Sequence, residues 1–222
     1  MTFVVGFECH DGLVLCAESL EEDGYIKRIV PKLRSRVVNG EWGIAFGCSG
    51  TSPGINKFSD KLGELIGTGK YDRYATENTI EATLKYMQQE HPQEQMELII
   101  GLWAQKETHL YRVYQNSHCM SVGGGFGFVC CGMDLSLGDV ILDGIFDEAM
   151  GVEEAAKLGI FATAVVKAKV DGCGGPTRVK LYKKGSNTWR HFEDEEVEEI
   201  EHRYSIEEFY GIIHQYWLEK NE

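Results

Sequence analysis

The sequence predicts an α+β fold in which antiparallel β-sheets stack face to face and helices cover the outside. Two observations lead there. Helical patterns come in pairs between runs of strands, in the order strands, two helices, strands, two helices, strands, helix, rather than alternating with strands one to one. The segment 13–17 is apolar throughout, as a strand buried on both faces must be.

Each element has its own signal. Phe3, Val5 and Phe7 alternate with Val4, Gly6 and Glu8, the period of a strand. His10-Asp11-Gly12 offers a tight turn into the strand at 13–17. Strand-like segments follow at 26–30 and 33–38, and Asn39-Gly40 turns the chain into another at 42–46. Cys48-Ser49-Gly50-Thr51-Ser52-Pro53-Gly54 then marks a strand-to-helix turn. Ile55, Phe58, Leu62, Leu65 and Ile66 recur at helical spacing, and a second helix spans about 77–90 with Ile80, Leu84 and Met87 on one face. Strands return at 96–104, at 109–114 and from 120 to 131 through a glycine run. Helices follow at about 137–148 and 153–170, then strands at 178–182 and 188–192. Ser205-Ile206-Glu207-Glu208 is a capping box opening a last amphipathic helix at 206–218.

Bulk properties narrow the function. A chain of 222 residues with this patterning reads as one domain over 1–222, and 43% hydrophobic residues suffice for a large core. A net charge of −13 argues against nucleic acid or an anionic membrane as partner, since both need clustered Lys and Arg. Seven of the nine residues at 193–201 are acidic, which reads as a solvated or helix-flanking segment, with a docking surface for a basic partner as the alternative. The seven cysteines have no C-x-x-C spacing and lie in apolar surroundings, so neither a disulfide framework nor a metal site is expected, and no cofactor. No signal peptide or long apolar run is visible, and a cytoplasmic location is the expectation.

Motifs for phosphate-binding loops, helical zinc sites and the G-x-S-x-G elbow are absent. The run Gly123-Gly124-Gly125-Phe126-Gly127 does not open a helix and reads as close backbone packing. Other segments carry more. Thr2-Phe3-Val4-Val5-Gly6-Phe7 and Asp11-Gly12-Leu13-Val14-Leu15-Cys16-Ala17-Glu18-Ser19 resemble the mature start of proteasome β-type subunits. Pro31-Lys32-Leu33 resembles that family's strand with its active-site lysine, after a short deletion. Cys48-Ser49-Gly50-Thr51-Ser52 resembles its turn at the oxyanion pocket. Residues 122–128 with Gly132-Met133-Asp134, and then Asp171-Gly172-Cys173-Gly174-Gly175 with Val179-Lys180-Leu181-Tyr182, resemble later family segments in the right order.

The resemblance implies a four-layer αββα sandwich of two antiparallel sheets, the N-terminal-nucleophile (Ntn) hydrolase fold. It also implies threonine peptidase or amidase chemistry on a peptide or protein substrate. A hydroxyl is a weak nucleophile and needs an adjacent base. A Thr at the chain start carries one, the α-amine, whose pKa of about 7.7–8.0 suits general-base work near neutrality. By resemblance Thr2 is the nucleophile once Met1 is removed, Lys32 and Glu18 form the supporting ion pair, Gly50 supplies the oxyanion donor and Asp171 orients the N-terminus. Taken singly, these residues also have plain readings: a strand residue, a surface lysine, a strand-end charge, a turn glycine and a loop cap.

Three departures from the family pattern stand out. Glu18 replaces an Asp, Gly124 replaces a Ser, and the segment from Asp171 to Gly175 is one residue short and lacks its Ser. They favour an alternative function, a catalytically silent scaffold or binding subunit. The short lead before Thr2 fits bacterial homologues, including the Anbu group, and implies a homo-oligomer, ring or helical array, with an ATPase or other regulator as a possible partner. Apolar residues on the helices at 55–66, 77–90 and 206–218 read as surface for that assembly.

Overall fold

The computed structural model describes residues 2–38, 40–50, 52–66, 73–92, 96–104, 107–114, 118–122, 127–132 and 135–203. In chain order the elements are β1 (Phe3–Cys9), β2 (Gly12–Ala17), β3 (Leu20–Asp23), β4 (Ile26–Ile29), β5 (Leu33–Val38), β6 (Trp42–Gly50), α1 (Ser52–Ile66) and α2 (Arg73–Glu90). Then come β7 (Met96–Ala104), β8 (Glu107–Tyr114), β9 (His118–Ser121), β10 (Gly127–Gly132), α3 (Leu135–Asp143), α4 (Val152–Lys169), β11 (Arg178–Lys183), β12 (Arg190–His191) and α5 (Asp194–Arg203). One five-stranded sheet has the order β10-β1-β2-β11-β12, the other β5-β6-β7-β8-β9, and β3 and β4 form a separate hairpin. Every pairing is antiparallel.

The strands are apolar on both faces because each sheet is covered twice. Phe3, Val5, Phe7 and Cys9 of β1, with Val14 and Cys16 of β2, pack under α3 and α4. The alternate residues Val4, Leu13, Leu15 and Ala17 meet Ala45, Ile99, Trp103 and Leu110 of the second sheet. The far side of that sheet, with Ile44, Phe46, Leu98 and Ile100, is closed by Phe58 and Leu62 of α1 and Ile80, Leu84 and Met87 of α2. Three apolar layers therefore separate four layers of structure, an αββα sandwich. Between the sheets Trp103 and Tyr182 stack with ring centroids 4.6 Å apart. Gly43 permits this, since a Cβ there would lie 2.5 Å from the Trp103 ring.

Several expectations change. The apolar residues Phe58, Leu62, Ile80, Leu84 and Met87 are core residues, so these five do not serve as assembly surface. The acidic segment is helical: it folds as α5, keeps Asp194, Glu195, Glu198 and Glu199 exposed, buries Val197, and pairs Asp194 with Arg178, Glu196 with Arg190 and Glu201 with Lys167. The strand expected at 42–46 continues to Gly50. α3 ends at Asp143, where Gly144 follows, and the Phe146 N–H turns back to the Leu142 carbonyl at 2.7 Å. Residues 123–126 of the glycine run and the helix expected at 206–218 lie outside the described residues. No helix among the described residues is long and apolar enough to cross a membrane.

Lys180 of β11 sits between the sheets and donates to Ser35 Oγ of β5 at 2.8 Å, with both His191 ring nitrogens at 3.4 Å. Burial lowers its pKa from the ordinary 10.5 to about 8. Between these values the unfolded chain holds a proton that the folded chain has released, so this residue makes stability rise with pH across that window. The buried thiols act in the opposite sense: burial first, with nearby acidic groups, pushes Cys9 and Cys119 up to about 12, and burial pushes Cys48 there too. The difference between chains isolates the lysine. Lys180→Met is expected to raise stability by about 1 kcal/mol at pH 7, an advantage that shrinks towards pH 10. Urea denaturation of both chains at a series of pH values checks this.

Candidate active site

Thr2 stands one residue before β1, an inner strand of the first sheet. The Phe3↔Gly132 pairing fixes its backbone, and the glycine is needed: a Cβ at Gly132 would lie 1.9 Å from the Thr2 carbonyl oxygen, and its φ is 116°. Glu18 follows β2 directly, with its N–H on the Phe3 carbonyl at 3.4 Å, so β2 delivers the carboxylate beside Thr2. Lys32 comes from the other sheet. It precedes β5, and its carbonyl accepts from the Cys48 N–H of β6 at 3.3 Å.

These three side chains meet. Lys32 Nζ donates to Thr2 Oγ1 at 3.1 Å and forms an ion pair with Glu18 Oε1. All three residues are buried, Thr2 and Lys32 with 8% of their surface left and Glu18 with none. A fully buried carboxylate must have its lone pairs satisfied. Here the Phe3 N–H reaches Oε1 at 3.3 Å, and the Leu20 and Gly174 N–H groups reach Oε2 at 2.8 and 3.2 Å. With the lysine, these donors occupy both oxygens and fix the longer side chain that stands where the family pattern has Asp. Burial and ion pairing thus aim one ammonium at one hydroxyl.

Gly50 and Asp171 sit apart from this contact. Gly50 is the exposed last residue of β6, two positions beyond Cys48, and its φ of 136° favours glycine. Asp171 lies exposed in the turn after α4 and makes no hydrogen bond or ion pair among the described residues. The same loop acts through its backbone instead: the Gly174 carbonyl accepts from the Ser19 and Leu20 N–H groups at 3.1 and 2.9 Å, while its N–H holds Glu18. Ser19, buried, donates its hydroxyl to the Pro176 carbonyl. No site role for Ser19, Leu20 or Gly174 was legible; Ser19 next to Glu18 was the one available signal. Among the described residues no group of three or more His, Cys, Asp or Glu is arranged to hold a metal.

No protein-family model matches the chain, and no curated protein matches it in sequence. Solved structures do. An Anbu (Gly-1) mutant from Hyphomicrobium sp. strain MC1 superposes with a TM-score of 0.84 at 17% identity, covering 96% of each chain. The fold is that of the Anbu proteins. Anbu (ancestral beta-subunit) from Yersinia bercovieri aligns with a TM-score of 0.81 at 14% identity over 96% of this chain and 97% of that one. A helical assembly of the Anbu complex from Pseudomonas aeruginosa gives 0.78 at 16% identity over 96% of both. The Anbu fold is proteasome-like and of the Ntn type, which agrees with the layer order described above.

Proposed function

We propose that this chain is a threonine-type Ntn peptidase subunit that cleaves peptide or amide bonds. The observation that carries the reading is the 3.1 Å contact from the buried Lys32 ammonium to Thr2 Oγ1, with Glu18 behind it. Once Met1 is removed, the freed α-amine of Thr2 takes the Oγ proton as the oxygen attacks the substrate carbonyl carbon. An ester to Thr2 forms, the amine passes the proton to the leaving nitrogen, and water then hydrolyses the ester. Lys32 stabilises negative charge on Oγ and, by like-charge repulsion, disfavours protonation of the amine. Glu18 orients Lys32, and the Gly50 N–H donates to the developing oxyanion.

A β-lactone or epoxyketone probe followed by mass spectrometry tests this. One probe mass is expected on an N-terminal peptide that begins at Thr2. Cysteine labelling is not expected, because burial holds thiols such as Cys48 and Cys9 protonated near neutrality. A chain purified from its native host with Met1 fully retained, or labelled on cysteines alone, would refute the peptidase reading.

The second reading, a silent scaffold subunit, is favoured by the exposure of Asp171, which leaves the terminal amine without that residue to orient it. Both readings include self-assembly in the cytoplasm. Tyr25, Ile26 and Ile29, on the hairpin between Glu18 and Lys32, are exposed apolar residues that suit contact with a second copy. A repeated head-to-tail contact closes into a ring or continues as a helix, and it shelters the nucleophile. A regulator that unfolds and feeds substrate, such as an ATPase, suits a sheltered site. Light scattering is expected to find a particle far above 25.0 kDa; a stable monomer at micromolar concentration that keeps its activity would rule assembly out as a requirement.

A further inference from the structure

Among the described residues the buried charged side chains are Glu18, Lys32 and Lys180. The first two form an ion pair. Lys180 meets no carboxylate among the described residues; its contacts are the Ser35 hydroxyl at 2.8 Å and the His191 ring at 3.4 Å. A buried ammonium without a counter-charge is held weakly as the charged form. Burial is the cause of its lowered pKa of about 8, so neutral amine is present near physiological pH. His191 adds no charge there: burial first, and then the Lys180 ammonium, lower its pKa, against a smaller opposing effect of Glu193.

The strands explain why the hydroxyl and the amine meet. Val179 and Leu181 of β11 point into the helix-covered core, so Lys180 alternates with them and points between the sheets, as Tyr182 does. Leu33 of β5 also lies between the sheets, and Ser35, two residues on, shares its face. The two side chains differ in depth. Lys180 keeps only 7% of its surface, whereas Ser35 is half-buried and His191 exposed. The hydroxyl therefore belongs to the accessible residue and the amine to the shielded one, the order that a nucleophile and its base require.

Ser35 also offers a backbone donor. β5 is an edge strand. The Cys48 N–H bond to the Lys32 carbonyl makes Lys32 and Cys48 a hydrogen-bonded pair of the antiparallel ladder. Bonded and non-bonded pairs alternate, so Ser35 and Ala45 are a non-bonded pair. The Ser35 N–H thus points away from β6, off the edge of the sheet. A nucleophile's own N–H is one of the donors that serine hydrolases turn on an oxyanion.

We infer that Ser35 and Lys180 form a second catalytic pair, which hydrolyses carboxylic esters of small acyl groups independently of Thr2. Neutral Lys180 takes the Ser35 proton as Oγ bonds to the ester carbonyl carbon, and the Ser35 N–H donates to the oxyanion. The C–O bond to the alcohol breaks, and Lys180 returns the proton to the departing oxygen. Water then attacks the acyl-serine, again through Lys180, and releases the carboxylic acid. A single oxyanion donor suits an ester, whose carbonyl is more electrophilic than that of an amide.

The test uses the full chain carrying Thr2→Ala, which removes the other candidate nucleophile, and a small alkyl fluorophosphonate. The Ser35 oxygen bonds to phosphorus as fluoride leaves. Peptide mass spectrometry is expected to find one adduct on Ser35, formed at a rate that rises with pH about a midpoint near 8. Lys180→Met in the same background is expected to slow it about a hundredfold, the lower end of what a positioned base contributes. Lys180→Arg keeps the charge but does not give up its proton, and is expected to be as slow. Hydrolysis of p-nitrophenyl acetate should follow the same order and fall to background in Ser35→Ala, with urea denaturation showing that each variant is folded. No adduct on Ser35, or a rate that both Lys180 changes leave unaltered, overturns the pair. Neither result bears on labelling of Thr2 in the native chain, so the two centres stand or fall separately.

Discussion

Thr2→Ala is expected to abolish probe labelling completely while lowering stability by only about 1 kcal/mol. The substitution removes the oxygen that attacks, so no covalent product can form. It also deletes one hydrogen bond from Lys32, and a bond of this kind contributes about 1 kcal/mol. The lysine keeps its carboxylate partner, so no buried charge is left alone. Intact mass after incubation with probe gives the first quantity and urea denaturation the second. Residual labelling at the N-terminus of Thr2→Ala, or a loss of stability several times larger, contradicts the role given to this residue.

Glu18→Ala is expected to be the most damaging single change, with a loss of about 3–5 kcal/mol, the range seen when one member of a buried ion pair is removed. The Lys32 ammonium would remain buried without its counter-charge. The N–H groups of Phe3, Leu20 and Gly174 would lose their acceptor together. Glu18→Gln keeps the shape and, with its amide oxygen towards the Leu20 and Gly174 N–H groups, fails for the ammonium and the Phe3 N–H that share the other oxygen, so it should lie between Ala and the native chain. A double change, Glu18→Leu with Lys32→Met, removes both charges and is expected to be more stable than either single change while giving no labelling. Denaturation midpoints of the native chain, Glu18→Leu, Lys32→Met and the double variant, set out as a double-mutant cycle, measure the coupling. A cycle with no coupling would mean that the pair is not formed.

Much of the fold was legible because alternation and turn chemistry agree. β1 and β2 show their period and the Asp11-Gly12 turn in plain sequence, and Gly12 does adopt the turn-to-strand geometry at φ 156°. The placing of Lys32 required a gap, with Lys27 and Arg28 nearby as competitors. Both of those lie on the exposed β4, whereas Lys32 turns inward. β3 was not legible: Leu20-Glu21-Glu22-Asp23 has the composition of a solvated loop, and its pairing with β4 comes from the hairpin and not from a buried face. α5 was hidden for a similar reason, since its burial rests on few apolar side chains and its acidic residues are matched by cations distant in sequence. Around the site, the side chains Thr2, Glu18 and Lys32 could be named from pattern. The backbone N–H groups that hold Glu18 could not, because an N–H has no identity in a sequence. Asp171 was singled out in a loop whose contribution is Gly174.

The way Glu18 is held has a consequence for synthesis. Its contacts come from Phe3, Leu20, Lys32 and Gly174, and the last lies 156 residues downstream. A chain emerging from the ribosome exposes Thr2 first but lacks the final donor to the carboxylate until most of its length has been made. During that time the lysine and carboxylate have only part of their frame, and long-range closure of this kind is the slow part of folding. The proposed nucleophile therefore matures last although it is made first. Truncated or stalled chains would carry a threonine but no finished centre, so chemical competence becomes a readout of a complete, folded chain.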